Sequence, residues 1–220
     1  MEIDFVYDTA CPWCYIGRQR LRLALGSRAA VAPVLRFRPF LLSPDMPRAG
    51  MERRQYVERK FGGARRAGRI LEAAQTAARQ VGLDLHFERI TRTPNTIDSH
   101  LLVFMGETQA QREALLDHLY RAYFVEGRDI GATSELVAIG AAEGLDPARV
   151  EERLTSLEGV ADVVAENARL HNMGMSGVPG FIFNSRYAIS GAQETGVFLR
   201  MIDLALETQV PEPVTHAHAG

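Results

Sequence analysis

Apolar and polar positions alternate over residues 2–8, with Ile3, Phe5 and Tyr7 on one side, and this alternation predicts a β-strand. From Pro12 the period changes. Trp13, Gly17, Leu21 and Ala24 fall on one helical face, and Gly26-Ser27 closes the helix. Residues 34–40 return to a strand pattern, ended by Pro39 and the Pro44 and Pro47 that follow. Strand, helix and strand within about forty residues form a βαβ unit, which is expected to be parallel and right-handed.

Strand signals then stop. From Met51 to Met173 the pattern is helical, with predicted spans 51–61, 65–81, 96–106, 109–126, 134–143, 147–155 and 160–173. Gly82, Gly127, Gly144 and Gly174 stand where helix C-caps belong, and Asp146-Pro147 is an N-cap followed by proline at the first helical position. Strands resume at 181–184 and 187–191, with Asn184-Ser185-Arg186 turning a hairpin, and a last amphipathic helix covers 194–206. A helical block between two halves of one sheet reads as an insertion. The expected organisation is an α/β domain from 1–45 and 160–208, a helical insertion over 46–159, and a flexible tail over 209–220. There is no internal repeat.

Composition narrows the function classes. With 46% hydrophobic residues and a net charge of −2, the chain is expected to fold as a soluble globular protein, without a nucleic-acid partner. The apolar run Leu101–Met105 is too short to span a bilayer, and Glu2-Ile3-Asp4-Phe5 after Met1 is unlike a signal peptide, so a cytoplasmic location is expected. The stretch 48–69 is rich in Arg53, Arg54, Arg59, Lys60, Arg65, Arg66 and Arg69. A solvated helical face explains it; a patch for an acidic partner is the alternative.

The only two cysteines form Cys11-Pro12-Trp13-Cys14, a spacing that chance gives in about one chain in a hundred. They follow a strand and open a helix, where backbone N–H groups and the helix dipole stabilise a thiolate. Cys11, at the N-cap, is expected to be the more exposed and more acidic sulfur, and Cys14, one turn in, the shielded resolving thiol. Two inert buried cysteines would explain neither spacing nor placement. A zinc site would need further ligands, and none stands at ligand spacing, so no metal is expected. Far along the chain, Gly177-Val178-Pro179 leads into the strand at Phe181. Beside a helix-start Cys-x-x-Cys this reads as a cis-proline loop of the thioredoxin fold, whose Val178 backbone faces the cysteines and receives an extended substrate.

These motifs resemble those of the DsbA-type thioredoxin-like oxidoreductases, in particular their cytoplasmic FrnE-like branch. The resemblance runs up to about Leu206. It rests on Cys11-Pro12-Trp13-Cys14-Tyr15 with Gly17, Arg38-Pro39-Phe40 with Leu42, Pro44 and Pro47, Pro94-Asn95-Thr96 with His100, Gly177-Val178-Pro179, and Gly191-Ala192-Gln193. It implies a thioredoxin-like fold with a large helical insertion, dithiol–disulfide exchange at Cys11 and Cys14, and no bound cofactor. Substrate contacts are implied for Pro12, Trp13, Phe40, Asn95, His100, Val178 and Pro179. Glutathione-dependent transferases and isomerases share the superfamily but carry serine at the first cysteine. Both sulfurs here favour redox chemistry, with glutathione still open as reductant.

Asn95 is placed to cap the helix 96–106, and His100 either sits satisfied in the core or points to the cleft to hold substrate or move a proton to Cys11. Asp4 and Asp8 fall opposite Phe5 and Tyr7, which suggests a solvated or loop role; an acid beneath the cysteines would instead take a proton from Cys14. The expected activity is reduction or isomerisation of disulfides in substrate proteins or small molecules. A pair at about −150 mV in a cytosol near about −250 mV rests as dithiol by about 4 to 5 kcal/mol. An enzyme acting on an aromatic or polyketide-like small molecule, and a chaperone-like binding module, are the alternatives. Oligomeric state is not legible.

Overall fold

The computed structural model describes residues 1–208, and the tail predicted over 209–220 lies outside the described residues. In chain order the elements are β1 (Glu2–Tyr7), α1 (Pro12–Gly26), β2 (Val34–Pro39), β3 (Met51–Glu52), α2 (Arg53–Phe61) and α3 (Ala64–Arg79). After a 3-10 turn at Phe87–Arg89 come β4 (Arg92–Thr93), α4 (Ile97–Phe104), α5 (Gln109–Phe124), α6 (Thr133–Ala142), α7 (Pro147–Thr155) and α8 (Val160–Asn172). The chain closes with β5 (Gly180–Phe183), β6 (Tyr187–Ser190) and α9 (Thr195–Glu207).

The main sheet has the order β2-β1-β5-β6. β1 and β2 are parallel, as a βαβ unit requires, and β5 returns antiparallel to β1. The two halves of the sheet, far apart in sequence, thus rejoin in an α/β architecture. One face carries a row of rings. Phe5 stacks on Phe181 at 5.0 Å, Phe181 meets Phe198 of α9 edge-on at 4.8 Å, and Tyr7 meets Phe37 at 6.1 Å. Each such ring contributes on the order of 2–3 kcal/mol by leaving water. The opposite face is a smaller cluster of Val6, Phe40 and Leu170 under α8. Both faces are therefore covered, which is why Asp4 is not solvated there: it pairs with Arg38 at 3.1 Å, and Arg38 also holds Glu166 of α8 at 2.5 Å.

Predicted spans agree with the observed strands to within one residue and with the helices to within two. The reasons are local. Asp146 accepts from Ala148 N–H at 3.0 Å with Pro147 behind it, Thr108 accepts from Gln111 N–H at 3.1 Å, and Gly82, Gly127, Gly144 and Gly174 take left-handed φ between 75° and 86° after their helices. Asn184 and Ser185 also take positive φ, 49° and 55°, making the tight β5–β6 turn. One expectation fails: the block after Met51 does contain strand. β3 pairs antiparallel with β4. Two-residue strands have no periodicity to read, and this pairing joins segments forty residues apart.

The helices pack on the sheet domain through one contiguous core running from Phe5 and Tyr7 to Leu101, Tyr120 and Phe124. Charge reinforces the junction. The Arg18 guanidinium of α1, almost fully buried, meets Asp117 of α5 at 2.8 Å and Glu113 at 3.3 Å, and Arg22 also pairs with Asp117. Asp117→Ala leaves Arg18 with Glu113 alone. The expected cost is about 2 kcal/mol, between that of surface and buried pairs, because Asp117 is a third exposed. Thermal denaturation should show it as a fall in Tm of about 4 to 8 °C.

Candidate active site

β1 ends at Tyr7, and the chain turns through Asp8, Thr9 and Ala10 before α1 begins. The Cys11 N–H donates to the Asp8 carbonyl at 3.1 Å and closes that turn. Cys11 is extended (φ −98°, ψ 112°) at the N-cap of α1, Pro12 follows in the first turn, and no side chain caps the helix. The Cys11 carbonyl accepts from Cys14 and Tyr15 N–H at 3.1 and 3.4 Å, so the two cysteines share one helical turn. Both are free thiols.

Across from them is the loop before β5. The Val178–Pro179 peptide is cis, and the Cys11 thiol lies 3.8 Å from the Val178 carbonyl, a weak S–H donor contact. α1 approaches this loop closely because residue 17 has no side chain: a Cβ there would stand 3.1 Å from Pro179 and 3.2 Å from Phe181. The closeness corrects one expectation. Cys11 is the more exposed sulfur only by 3% against 0% for Cys14, because the core and the proline loop close over both.

Burial divides the pair chemically. The Cys14 thiol is pushed well above its ordinary pKa, first by loss of water and then by the Cys11 thiol beside it, while the Asp8 backbone partly counteracts this. Cys14 is therefore held as a protonated thiol. Asp8 is buried as well (2% exposed), against the solvated role its alternation suggested; the strand ends at Tyr7, so alternation no longer applies. Its carboxylate accepts from Ala10 N–H at 2.9 Å and Leu42 N–H at 2.8 Å. Burial raises its pKa, and these donors together with the Thr96 hydroxyl oppose the rise.

A second layer holds the turn. Ser99 donates to the Thr96 carbonyl at 2.8 Å, which leaves Thr9 as the donor in its 2.6 Å contact with Ser99. Tyr120 O–H donates to the Asp8 carbonyl at 3.4 Å, and Tyr15 stacks on Tyr120 at 4.9 Å. Thr9, Ser99 and Tyr120 were not singled out in the sequence. Their partners lie 90 to 112 residues away, and no local pattern marks them.

The remaining predicted residues separate. Pro12, Trp13 and Val178 are half-buried at the site and Pro179 is buried. Asn95 accepts from Ile97 N–H at 3.0 Å and donates to the Met46 carbonyl at 2.7 Å, so it ties the start of α4 to the loop after β2. Phe40 is buried with Val6 and Leu170, and Val178 packs against that cluster; its ring supports the proline loop from within and does not face a substrate. His100 does not point to the cleft. It is fully buried and edge-on to Tyr7 at 4.9 Å, and burial lowers its pKa to about 3 against the opposing pull of the Phe40 backbone.

A cleft of about 520 Å³ is lined by the proline loop itself, with Met175, Gly177, Val178 and Pro179, and two more lie near the site. One, of about 220 Å³, is lined by Leu42, Ser43, Met46, Tyr56, Arg59 and Lys60. The other, of about 550 Å³, includes Trp13, Arg20, Arg69 and Glu194. Among the described residues no group of three His, Cys, Asp or Glu is placed to hold a metal, and no helix is long and apolar enough to cross a membrane.

With this geometry in view, comparison with known proteins is specific. The DSBA-like thioredoxin domain family matches residues 2–203. A crystal structure from Streptomyces coelicolor, titled a "probable DsbA oxidoreductase", is 27% identical, covers 100% of this chain and 95% of its own, and superposes with a TM-score of 0.87. The cytosolic disulfide reductase DsbM of Pseudomonas aeruginosa, solved with GSH, shares the fold at 22% identity, coverage of 95% and 98%, and TM-score 0.65. A 2-hydroxychromene-2-carboxylate isomerase shares it at 18% identity, coverage of 95% and 96%, and TM-score 0.70. No curated protein matches the sequence.

The state of His100 has a measurable consequence. The folded protein keeps it neutral down to about pH 3, while the unfolded chain takes up the proton near its ordinary value of 6.5. The unfolded state therefore binds more protons between these values, and stability falls as pH falls through that window, by about 1.4 kcal/mol per pH unit. His100→Leu keeps the packing on Tyr7 and removes the buried nitrogens. Denaturant titrations at pH 7, 5.5 and 4 should show the variant losing less stability on acidification than the parent by about this slope.

Proposed function

The chain belongs to the DSBA-like thioredoxin domain family, and we propose that it is a dithiol–disulfide oxidoreductase working through Cys11 and Cys14 in the reducing or isomerising direction. The observation that carries this reading is the pair itself: two free thiols in the first turn of α1, one against the Val178 carbonyl of the proline loop, the other buried and protonated.

In this reading the Cys11 thiolate attacks one sulfur of a substrate disulfide. A Cys11–substrate disulfide forms and the other substrate sulfur leaves as a thiolate. Cys14 then gives up its proton and attacks the Cys11 sulfur, expelling the second substrate thiolate and leaving a Cys11–Cys14 disulfide. Two electrons pass to the substrate, and a low-molecular-weight thiol such as glutathione restores the dithiol. Burial first, and then the Cys11 sulfur beside it, disfavour a Cys14 thiolate, so the proton stays on Cys14 until the mixed disulfide has formed. In this reading the Val178 backbone, in the bend before β5, is where a substrate strand would lie. No resident cofactor is needed for these steps. A reducing cytoplasm suits them, since a pair poised about 100 mV above the cytosolic thiol pool rests as the dithiol by about 4 to 5 kcal/mol.

Cys11→Ser should abolish reduction of insulin disulfides, and Cys14→Ala should accumulate a mixed disulfide on Cys11 that is visible by mass spectrometry and reversed by excess thiol. Limited alkylation near neutral pH should label Cys11 before Cys14, which burial keeps protonated. Turnover that survives Cys14→Ala with an aromatic small-molecule substrate would assign the protein to isomerase chemistry instead.

A further inference from the structure

The basic segment noted in the sequence is now located. It forms the hairpin of α2 and α3, which buries no side chain of α2 and few of α3. Between Glu52 and Glu72 stand seven basic residues and three carboxylates, a net +4 within a chain whose total is −2. Arg54, Arg59, Arg65, Arg66 and Arg69 are all exposed, and among the described residues none of them takes part in an ion pair. A solvated helix usually interleaves its charges in compensating pairs; this one leaves five cations unanswered.

The hairpin borders the thiol site. Lys60 Nζ donates to the Leu42 carbonyl at 2.7 Å, the Leu42 N–H donates to Asp8, and the Asp8 carbonyl receives the Cys11 N–H. Tyr56, in the same cleft as Arg59 and Lys60, has its hydroxyl 3.4 Å from the Ser43 hydroxyl in the loop after β2. Arg69 belongs to the other cleft, with Trp13 two residues from Cys11. The carboxylates facing these clefts are Asp45 in the first and Glu72 and Glu194 in the second, and Glu194 is already paired with Arg20 at 3.0 Å.

We propose that the substrates of this site are polypeptide disulfides flanked by acidic residues, drawn to Cys11 by the basic hairpin α2–α3. The inference rests on the oxidoreductase reading and adds the substrate class. Charge complementarity selects an anionic partner. The reaction requires that partner to carry a disulfide, which a nucleic acid does not. Arg59 and Arg69 lie in separate clefts on different helices, so a small disulfide fills one cleft, whereas an extended chain crossing Cys11 reaches both.

The test uses pre-reduced full-length protein in single turnovers, so no external reductant enters. Two electrons leave the Cys11–Cys14 dithiol and reduce one peptide disulfide to two thiols, followed by fluorescence of Trp13, the only tryptophan. Two peptides are compared, identical except that the disulfide is flanked by glutamates or by lysines, with 2-hydroxyethyl disulfide as an uncharged reference. The glutamate peptide should react about tenfold faster than the lysine peptide at low salt. The ratio should collapse toward one at about 0.5 M salt, where the screening length is about 4 Å. It should also collapse in Arg59→Gln/Arg69→Gln. If that variant does not fold, the salt series on the parent protein decides alone. A ratio near one at low salt, or one unmoved by salt, overturns the proposal while reaction with 2-hydroxyethyl disulfide keeps the oxidoreductase reading. Failure to reduce any of the three disulfides overturns that reading itself. A single-stranded oligonucleotide that binds tightly without slowing the glutamate peptide would assign the hairpin to nucleic acid and overturn the proposal as well.

Discussion

The antiparallel pairing of β1 with β5 is the interaction on which the rest depends. Cys11 follows β1 and Val178 precedes β5, so two groups 167 residues apart meet only because Phe5 pairs with Phe181. A slip of one residue would turn the ring row to the wrong face and carry the proline loop away from the thiols. The register is held by burial on both sides: Phe5, Phe181 and Phe198 on one face, and Val6, Phe40 and Leu170 on the other. Gly17 then lets α1 come within contact of Pro179. Sheet packing brings the two loops of the site together, and their own hydrogen bonds then fix the thiol turn.

The same burial does the electrostatic work. Water is excluded from Cys14, so its charged form is disfavoured. Asp8 extends the effect. Its oxygens are taken by Ala10 and Leu42 N–H groups, so one carboxylate joins the cysteine turn to the loop after β2. Thr9 and Tyr120 join the same turn to α4 and α5. The helical block is thus part of the active-site scaffold. The buried Tyr7 hydroxyl, without a hydrogen-bond partner among the described residues, marks where that scaffold trades polar satisfaction for packing.

The helical block has two sides in functional terms. α4 and α5 turn a buried face to the core, through Leu101, Leu102 and Val103 of α4 and Leu115, Leu119 and Tyr120 of α5. The α2–α3 hairpin is exposed, cationic and contributes little to the core. The fold links that hairpin to the thiol turn through Lys60, Leu42 and Asp8, so the helical block both buttresses the turn and carries exposed cations.

The sequence by itself determined what local physics controls. Helix and strand spans followed from period and caps, and the cysteine pair at a strand-to-helix turn, with a distant proline before a strand, marked out the candidate site. Pro12 at the start of α1 and glycines in left-handed caps are legible because their cause lies within a few residues. Tertiary structure alone decided the rest. Cys11 is closed over, Asp8 is buried, Phe40 supports from within, and His100 faces Tyr7 and not the cleft. It also decided that β3 pairs with β4 and that Arg59 and Lys60 share a cleft with Leu42 and Tyr56. Each depends on contacts between residues tens to more than a hundred positions apart. Periodicity reports which side of an element is apolar, but not what the completed fold sets against it.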